Sequence, residues 1–327
     1  MKWTLKHQPA NELLIKRLSA ELNVSTLVAS LLVNRGIKTF NEAKVFFRPQ
    51  LSMLHDPYLM KDMDKAVARL NAAINNKEKV LIYGDYDVDG TTAVSLVYMF
   101  LKNYYSEIDF YIPDRYSEGY GVSFKGIDFA ADNGFSLIIA LDCGIKSFDK
   151  VAYARSKGID FIICDHHRPD EILPEASAVL DPKREDCSYP YNELPGCAIG
   201  FKFMQAFAAH HKYNTDILFS YLDLVAISIA ADIVPITGEN RILTYYGLKL
   251  LNEQKRPGIQ AIIEKSGVTR QLNVTDVVFM IAPRINAAGR MKSGRDAVQL
   301  LIAPSKEEAL EHSVTLESHN RDRKDMD

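Results

Sequence analysis

"VLIYGDYDVDGTTAVSL", residues 80–96, sets an apolar run directly ahead of three aspartates on alternate positions, Asp85, Asp87 and Asp89. In an extended segment every second side chain points the same way, so the three carboxylates can converge. Like charges held that close repel, and burying one without a partner is costly, so a converging trio asks for something positive among them. A polar turn between a strand and a helix explains the same letters, and the stretch alone does not choose between the two readings.

The chain around it has a distinct rhythm. Apolar runs at 79–83, 108–112, 135–141 and 159–164 alternate with helix-like stretches, two of which stop at Gly134 and Gly158 as helices often do. Continuous apolar strands between helices predict an α/β fold with a mostly parallel sheet covered on both faces. Residues 1–72 read as a helical N-terminal extension and 73–303 as the main domain, its later part mostly helical. Residues 304–327 read as a long charged connector helix.

In open parallel sheets, ligands bind at the carboxyl ends of the strands. Three of the four runs are followed there by ionisable residues: the aspartate trio, then Asp142 in "LDCGIKS", then Asp165, His166 and His167 in "CDHHRPDE". Each has a plain explanation as a helix cap or a loop residue. Three at one edge of one sheet favour a metal centre, because scattered caps have no reason to meet. Many carboxylates with one or two imidazoles suit Mn²⁺ or Mg²⁺, whereas structural zinc favours cysteine. So many carboxylates suggest two ions about 3.5–4 Å apart, as in two-metal phosphoryl enzymes. Gly90 and Thr91, expected to begin a helix, offer amides to a phosphate oxygen.

Composition narrows the field. The 327 residues are 47% hydrophobic and 25% charged, which is ordinary for a globular protein, and the net charge of -3 argues against coating nucleic acid through bulk charge. Cys143, Cys164, Cys187 and Cys197 form no zinc-ligand spacing and read as reduced thiols. Neither a signal-peptide core nor a bilayer-length apolar run is present, so a cytoplasmic protein without membrane contact is expected.

"GDYDVDG", "LDCGI", "DHH" and "AADIVP" (231–235 within it) resemble four successive motifs of the DHH phosphoesterase superfamily. "IPDRYSEGYGVS" (112–123), "LPGCAIGFKF" (194–203) and "APRINAAGRM" (282–291) are similar to segments of its RecJ branch, the single-strand-specific 5′→3′ DNA exonucleases. The resemblance implies Asp85, Asp87, Asp89, Asp142, His166 and Asp232 as ligands of two divalent ions, Mn²⁺ ahead of Mg²⁺. It also implies His167 facing the scissile phosphate, and catalysis centred on His167, Asp142 and Asp87. Asp232 is a ligand only by resemblance, since "LDLVAISIAADIVP" reads equally as a buried helix ending in a capped turn. RecJ proteins usually continue into a second domain and an oligonucleotide-binding fold, which this sequence lacks, so a truncated core is expected.

The window 281–295 carries Arg284, Arg290, Lys292 and Arg295 with no acid, a pattern that suits a phosphate track, and Asn286 and Gly289 would let a strand approach. Arg115, Tyr116 and Tyr120 add a cation and stacking surfaces. The expected activity is hydrolysis of single-stranded DNA from the 5′ end to 5′-mononucleotides, in repair and recombination, by a monomer. The alternatives are a DHH phosphatase acting on pyrophosphate or very short oligonucleotides, and an inactive DHH scaffold in a replication complex.

Overall fold

A computed structural model describes residues 11–253, 256–291 and 294–312, with the side chains of 288–291 left aside. The chain divides into two compact units, Met1–Leu54 and His55–Asp327. In the first, α1 (Glu12–Leu22), α2 (Thr26–Asn34) and α3 (Phe40–Phe47) close on a small core of Leu18, Ala29, Leu32, Val33, Ile37 and Ala43. Local signals set the helix starts. The Ser25 side chain accepts the Val28 amide, and Thr39 with Glu42 forms a reciprocal capping box.

The second unit is built on a five-stranded sheet, all parallel: β1 (Lys79–Gly84), β2 (Ile108–Tyr111), β3 (Phe135–Leu141), β4 (Asp160–Cys164) and β5 (Ala178–Leu180), in spatial order β2-β1-β3-β4-β5. The parallel sheet flanked by helices is as expected. The fifth strand is an addition, because "AVL" is too short to stand out as an apolar run. Helices α4 (Met63–Asn75), α5 (Val88–Lys102), α6 (Phe124–Asp132) and α7 (Phe148–Ser156) flank it. Leu81, Tyr83, Ile138, Ala140, Phe161, Ile163 and Val179 pack on one face with residues of α6 and α7. The alternating residues Val80, Ile82, Leu137, Ile139 and Ile162 are buried on the other face, on the side of α5, α4 and α8 (Gly196–His211). Burial on both faces is why the strands read as unbroken apolar runs.

Past the sheet, α9 (Thr215–Phe219), α10 (Leu222–Ala231), α11 (Gly238–Glu253), α12 (Pro257–Ser266), the single turn α13 (Val274–Asp276), α14 (Ala282–Met291) and α15 (Gly294–Ile302) make the helical part. The later part is mostly helical, as expected. A π-helical segment, Val277–Ile281, leads into α14. Helix α4, assigned from sequence to the N-terminal extension, packs on β5 and α8 within this unit. The connector expected over 304–327 falls mostly on 313–327, outside the described residues. No described helix is long and apolar enough to cross a membrane.

The register brings four strand ends level. Gly84 pairs with Leu141, Leu141 with Cys164, and Cys164 with Leu180, so β1, β3, β4 and β5 end on one row. The next residue on each is an aspartate: Asp85, Asp142, Asp165 and Asp181.

Candidate metal centre at the strand ends

The aspartate trio does not meet by strand alternation. Strand β1 ends at Gly84 and α5 begins at Val88, not at Gly90 as expected, so the three side chains leave from a strand end, a helix cap and a first helical turn. Asp87 is the cap of α5, accepting the Gly90 amide at 2.9 Å. Asp85 is fully buried, accepting the amides of Tyr86 at 2.6 Å and Gly121 at 3.0 Å. Asp89 reaches across to α8. Its Oδ1 accepts the Cys197 amide at 2.8 Å and the Ser228 hydroxyl at 2.7 Å, and its Oδ2 accepts the Gly196 amide at 2.6 Å. The N-terminal amides of α8 therefore hold a carboxylate. Gly196 must be glycine here, since a Cβ would sit 2.6 Å from the Asp142 Cβ.

Asp142 and His166 form the centre of the cluster. Asp142 adopts a left-handed backbone (φ +59°), and its amide continues the ladder to the Cys164 carbonyl at 2.9 Å. His166 Nε2 lies 3.1 Å from Asp142 Oδ1 and 3.7 Å from an oxygen of both Asp89 and Asp232. Both Asp142 oxygens and both His166 nitrogens are buried without a well-formed hydrogen bond. Among the described residues, two groups bring their donor atoms within 4.8 Å of one another: Asp142 with His166 and His167, and Asp89 with His166 and Asp232. Four buried polar atoms without partners, in an oxygen-and-nitrogen donor set, fit a hard divalent cation.

The electrostatics agree. Burial first, then the charges of Asp89 and Asp87, hold the Asp142 carboxyl well above the usual carboxylate range. Burial and Asp87 push Asp85 up to about 7, and burial with Asp89 and Asp87 does the same to Asp232. Asp87 is also raised, by burial and Asp89, while burial lowers His166. The cluster resists its own ionisation, as carboxylates gathered to share a cation do.

Asp165, weighed from sequence as a cap, has a different role. Its fully buried Oδ1 accepts the His166 amide at 2.7 Å and the His167 amide at 3.1 Å, and lies 2.7 Å from His167 Nδ1, while Oδ2 accepts the Ile145 amide at 2.9 Å. That pairing raises the His167 pKa and leaves Nε2 3.5 Å from the Tyr120 hydroxyl. From Tyr120 an aromatic ridge continues edge-to-face to Tyr86, with rings 5.9 Å apart, and Arg115 lies over the Tyr86 ring at 5.4 Å. Tyr86 was missed because it stands between the aspartates, although its position inside "GDYD" is itself a signal. Tyr116 is exposed, outside this ridge of ring contacts.

The basic window is only partly free. Arg284 donates to the Met280 carbonyl at 2.6 Å, and Arg295 donates to the Phe110 carbonyl at 3.3 Å while covering that ring. Asn286 is half-buried on α14. Lys292 and the Arg290 side chain lie outside the described residues. The window nonetheless ends beside the site: a Cβ on Gly294 would come 3.2 Å from Tyr86.

Residues 79–229 match the DHH family N-terminal domain. That stretch is similar to a DHH domain, and it holds the four level strand ends and most of the candidate centre. The chain is 37% identical over 327 residues to the single-stranded-DNA-specific exonuclease RecJ of Bacillus subtilis, covering all of this chain and 41% of that protein. It is 34% identical over 313 residues to the Escherichia coli protein of the same name, covering 92% of this chain and 54% of that one. The chain thus spans about half the length of these relatives. A crystal structure of exonuclease RecJ bound to manganese superposes with a TM-score of 0.75 at 28% identity, over 84% of this chain and 68% of that one. RecJ in complex with Mn²⁺ from Thermus thermophilus superposes with a TM-score of 0.82 at 25% identity, over 98% and 45%.

Proposed function

We propose that this chain is a metal-dependent exonuclease that hydrolyses phosphodiester bonds of single-stranded DNA from the 5′ end, releasing 5′-mononucleotides in DNA repair and recombination. It would act in the cytoplasm as a monomer. The observation that carries the reading is the pair of donor groups sharing His166, at whose centre the buried Asp142 oxygens and His166 nitrogens make no well-formed hydrogen bond. Relatives named as single-strand-specific exonucleases, and neighbours crystallised with manganese, support it.

In this reading Asp85, Asp87, Asp89, Asp142, His166 and Asp232 hold two divalent ions, Mn²⁺ in preference and Mg²⁺ as the alternative. When bound, the ions supply an activated water and neutralise charge on the phosphate. The protein does the rest. Asp165 fixes His167 with Nδ1 inward, so Nε2 can present a proton to a non-bridging oxygen of the scissile phosphate. Asp89, braced by two α8 amides and Ser228, keeps its carboxylate in place before any ion arrives. Tyr120 and Tyr86 offer stacking surfaces to the terminal nucleotides, and Arg115, Arg284, Asn286 and Arg290 receive the strand.

A 5′-labelled single-stranded 20-mer tests the reading. Mononucleotide release in Mn²⁺, abolished by chelator, supports the exonuclease. Cleavage confined to pyrophosphate or dinucleotides would make the chain a phosphatase, and no turnover of any of them would make it a scaffold.

A further inference from the structure

The ridge that meets His167 stands on a loop, and one carboxylate inside that loop gathers its ends. Residues 112–123 leave β2 at Tyr111 and enter α6 at Phe124. Glu118 lies between, its side chain 3% exposed. The Tyr111 hydroxyl is 3.0 Å from both of its oxygens. Oε1 also accepts the Asp114 amide at 2.9 Å, and Oε2 accepts the Ser123 hydroxyl at 2.5 Å. Tyr111 belongs to the strand, Asp114 opens the loop, and Ser123 caps α6 through the Gly126 amide at 2.9 Å. One carboxylate thus ties three elements. Lys125 reaches Oε1 only at 3.9 Å and from an exposed position, so the burial is not explained by an ion pair.

The loop has two halves. In the first, Asp114 Oδ1 accepts the amides of Tyr116 at 3.1 Å and Ser117 at 2.8 Å, and the Glu118 amide returns to the Asp114 carbonyl at 2.9 Å. That closed turn carries Arg115, which lies over the Tyr86 ring. The second half is an elbow. Gly119 (φ +84°) and Gly121 (φ +80°) flank Tyr120, whose hydroxyl is 3.5 Å from His167 Nε2. Past the elbow, the Gly121 amide donates to Asp85 Oδ2 at 3.0 Å and its carbonyl accepts the Tyr83 hydroxyl at 3.1 Å. A side chain set between two glycines is aimed only if both sides of the elbow are fixed. Asp85 and Tyr83 fix the far side, and Glu118 fixes the near one.

We propose that Glu118 is a positioning residue of the candidate site, holding the 112–123 loop so that Tyr120 stands against His167 and Arg115 over Tyr86. The inference rests on the exonuclease reading and adds to it the group that sets the face receiving the terminal nucleotides. Glu118 acts through Tyr120 and Arg115, not on the phosphate. Burying a carboxylate among neutral donors is costly, and what this one orders is the substrate-facing loop.

The test uses the full 327-residue chain with Glu118→Gln, Tyr120→Ala and the two combined. Glutamine keeps the shape and one acceptor oxygen but sets an NH₂ group where the other oxygen meets its donors. Trypsin cleavage after Arg115 in the native chain reads how often the loop opens, and should quicken about tenfold or more in Glu118→Gln, as for a lost hydrogen bond to a charged group. On the 20-mer, kcat/KM should fall about ten- to a hundredfold, the scale of a misplaced stacking contact. Mn²⁺ affinity by calorimetry should stay within about twofold, because the ligands are untouched. Since the effect passes through Tyr120, adding Glu118→Gln to Tyr120→Ala should cost much less than Glu118→Gln costs alone. Tyr111→Phe, which removes one donor to the same carboxylate, should give a weaker version of this pattern and serves if Glu118→Gln fails to fold.

Three results would overturn the inference: unchanged trypsin cleavage, losses that multiply in the double variant, or Mn²⁺ binding that weakens along with kcat/KM, which would make Glu118 a support for Asp85. Failure of the two readings is distinguishable. An active wild-type chain indifferent to Glu118→Gln removes only the positioning role. An inactive wild-type chain removes the exonuclease reading, and the trypsin rate still decides whether Glu118 holds the loop.

Discussion

Two buried polar clusters in the second unit are opposites. In one, Lys202 and Glu239 meet at 2.7 Å with almost no exposure, and each remaining demand is met: Lys202 donates to the His55 carbonyl at 2.8 Å, while Glu239 accepts the His55 amide at 2.8 Å and the Tyr189 hydroxyl at 2.5 Å. In the other, Asp142 and His166 are as deeply buried, yet their polar atoms have no good partner. The closed cluster ties the start of the unit to α8 and α11. The open one leaves the demands of Asp142 and His166 unmet by hydrogen bonds. Burial alone therefore does not separate structure from function. Whether the hydrogen-bonding demands close within the chain does.

The sharpest test of that contrast is Asp142→Ala. In the open cluster it removes a carboxylate that already resists ionisation, so hydrolysis is expected to fall by several orders of magnitude, while stability measured in chelator is unchanged or improved. Glu239→Ala should do the reverse. Stripping one partner from a buried pair is expected to cost about 3–5 kcal/mol in urea unfolding, with residual activity per folded molecule largely kept. If both variants behave alike, the distinction fails.

Next in size is the response to metal. Mn²⁺ at about a hundred times its dissociation constant should stabilise the wild-type chain by about 2.7 kcal/mol, and Asp142→Ala by much less, read as a shift in unfolding midpoint. A related effect is pH dependence without metal. Asp85 and Asp232 titrate at about 7 in the folded chain, above the roughly 3.9 of an unfolded aspartate. Between those values the folded state holds protons the unfolded state has released. Their stabilising contribution is thus full below about pH 4 and lost as pH rises through about 7. In chelator, Asp232→Asn should flatten this decline relative to wild type, and a variant that declines as steeply would contradict the assignment. Smallest is Tyr120→Ala, expected to weaken single-strand binding by about 1–3 kcal/mol in fluorescence anisotropy, as for one lost stacking contact.

The sheet was legible because its strands are covered on both faces, and such strands announce themselves as apolar runs. The site was legible at Asp142 and His166 because they closely follow such runs. Strand alternation was the wrong reason for gathering Asp85, Asp87 and Asp89: the chain turns into α5 at once, and Asp89 is aimed by the amides of Gly196 and Cys197, more than a hundred residues away. That kind of dependence leaves no local trace. The role of Asp165 was illegible for the same reason. A carboxylate that caps and one that orients a histidine look identical as letters.

The common row on which β1, β3, β4 and β5 end makes the sheet a ruler for the site. A strand advances about 3.3 Å per residue and reverses its face at each step. Deleting one residue inside β3 would pull Asp142 back by that distance and turn its carboxylate to the opposite side, while leaving β1, β4 and their residues untouched. Loop lengths beyond the row can drift without moving the first residue past it, but the strand lengths cannot. The precision of the centre is counted out in whole residues by the hydrogen-bond ladder itself.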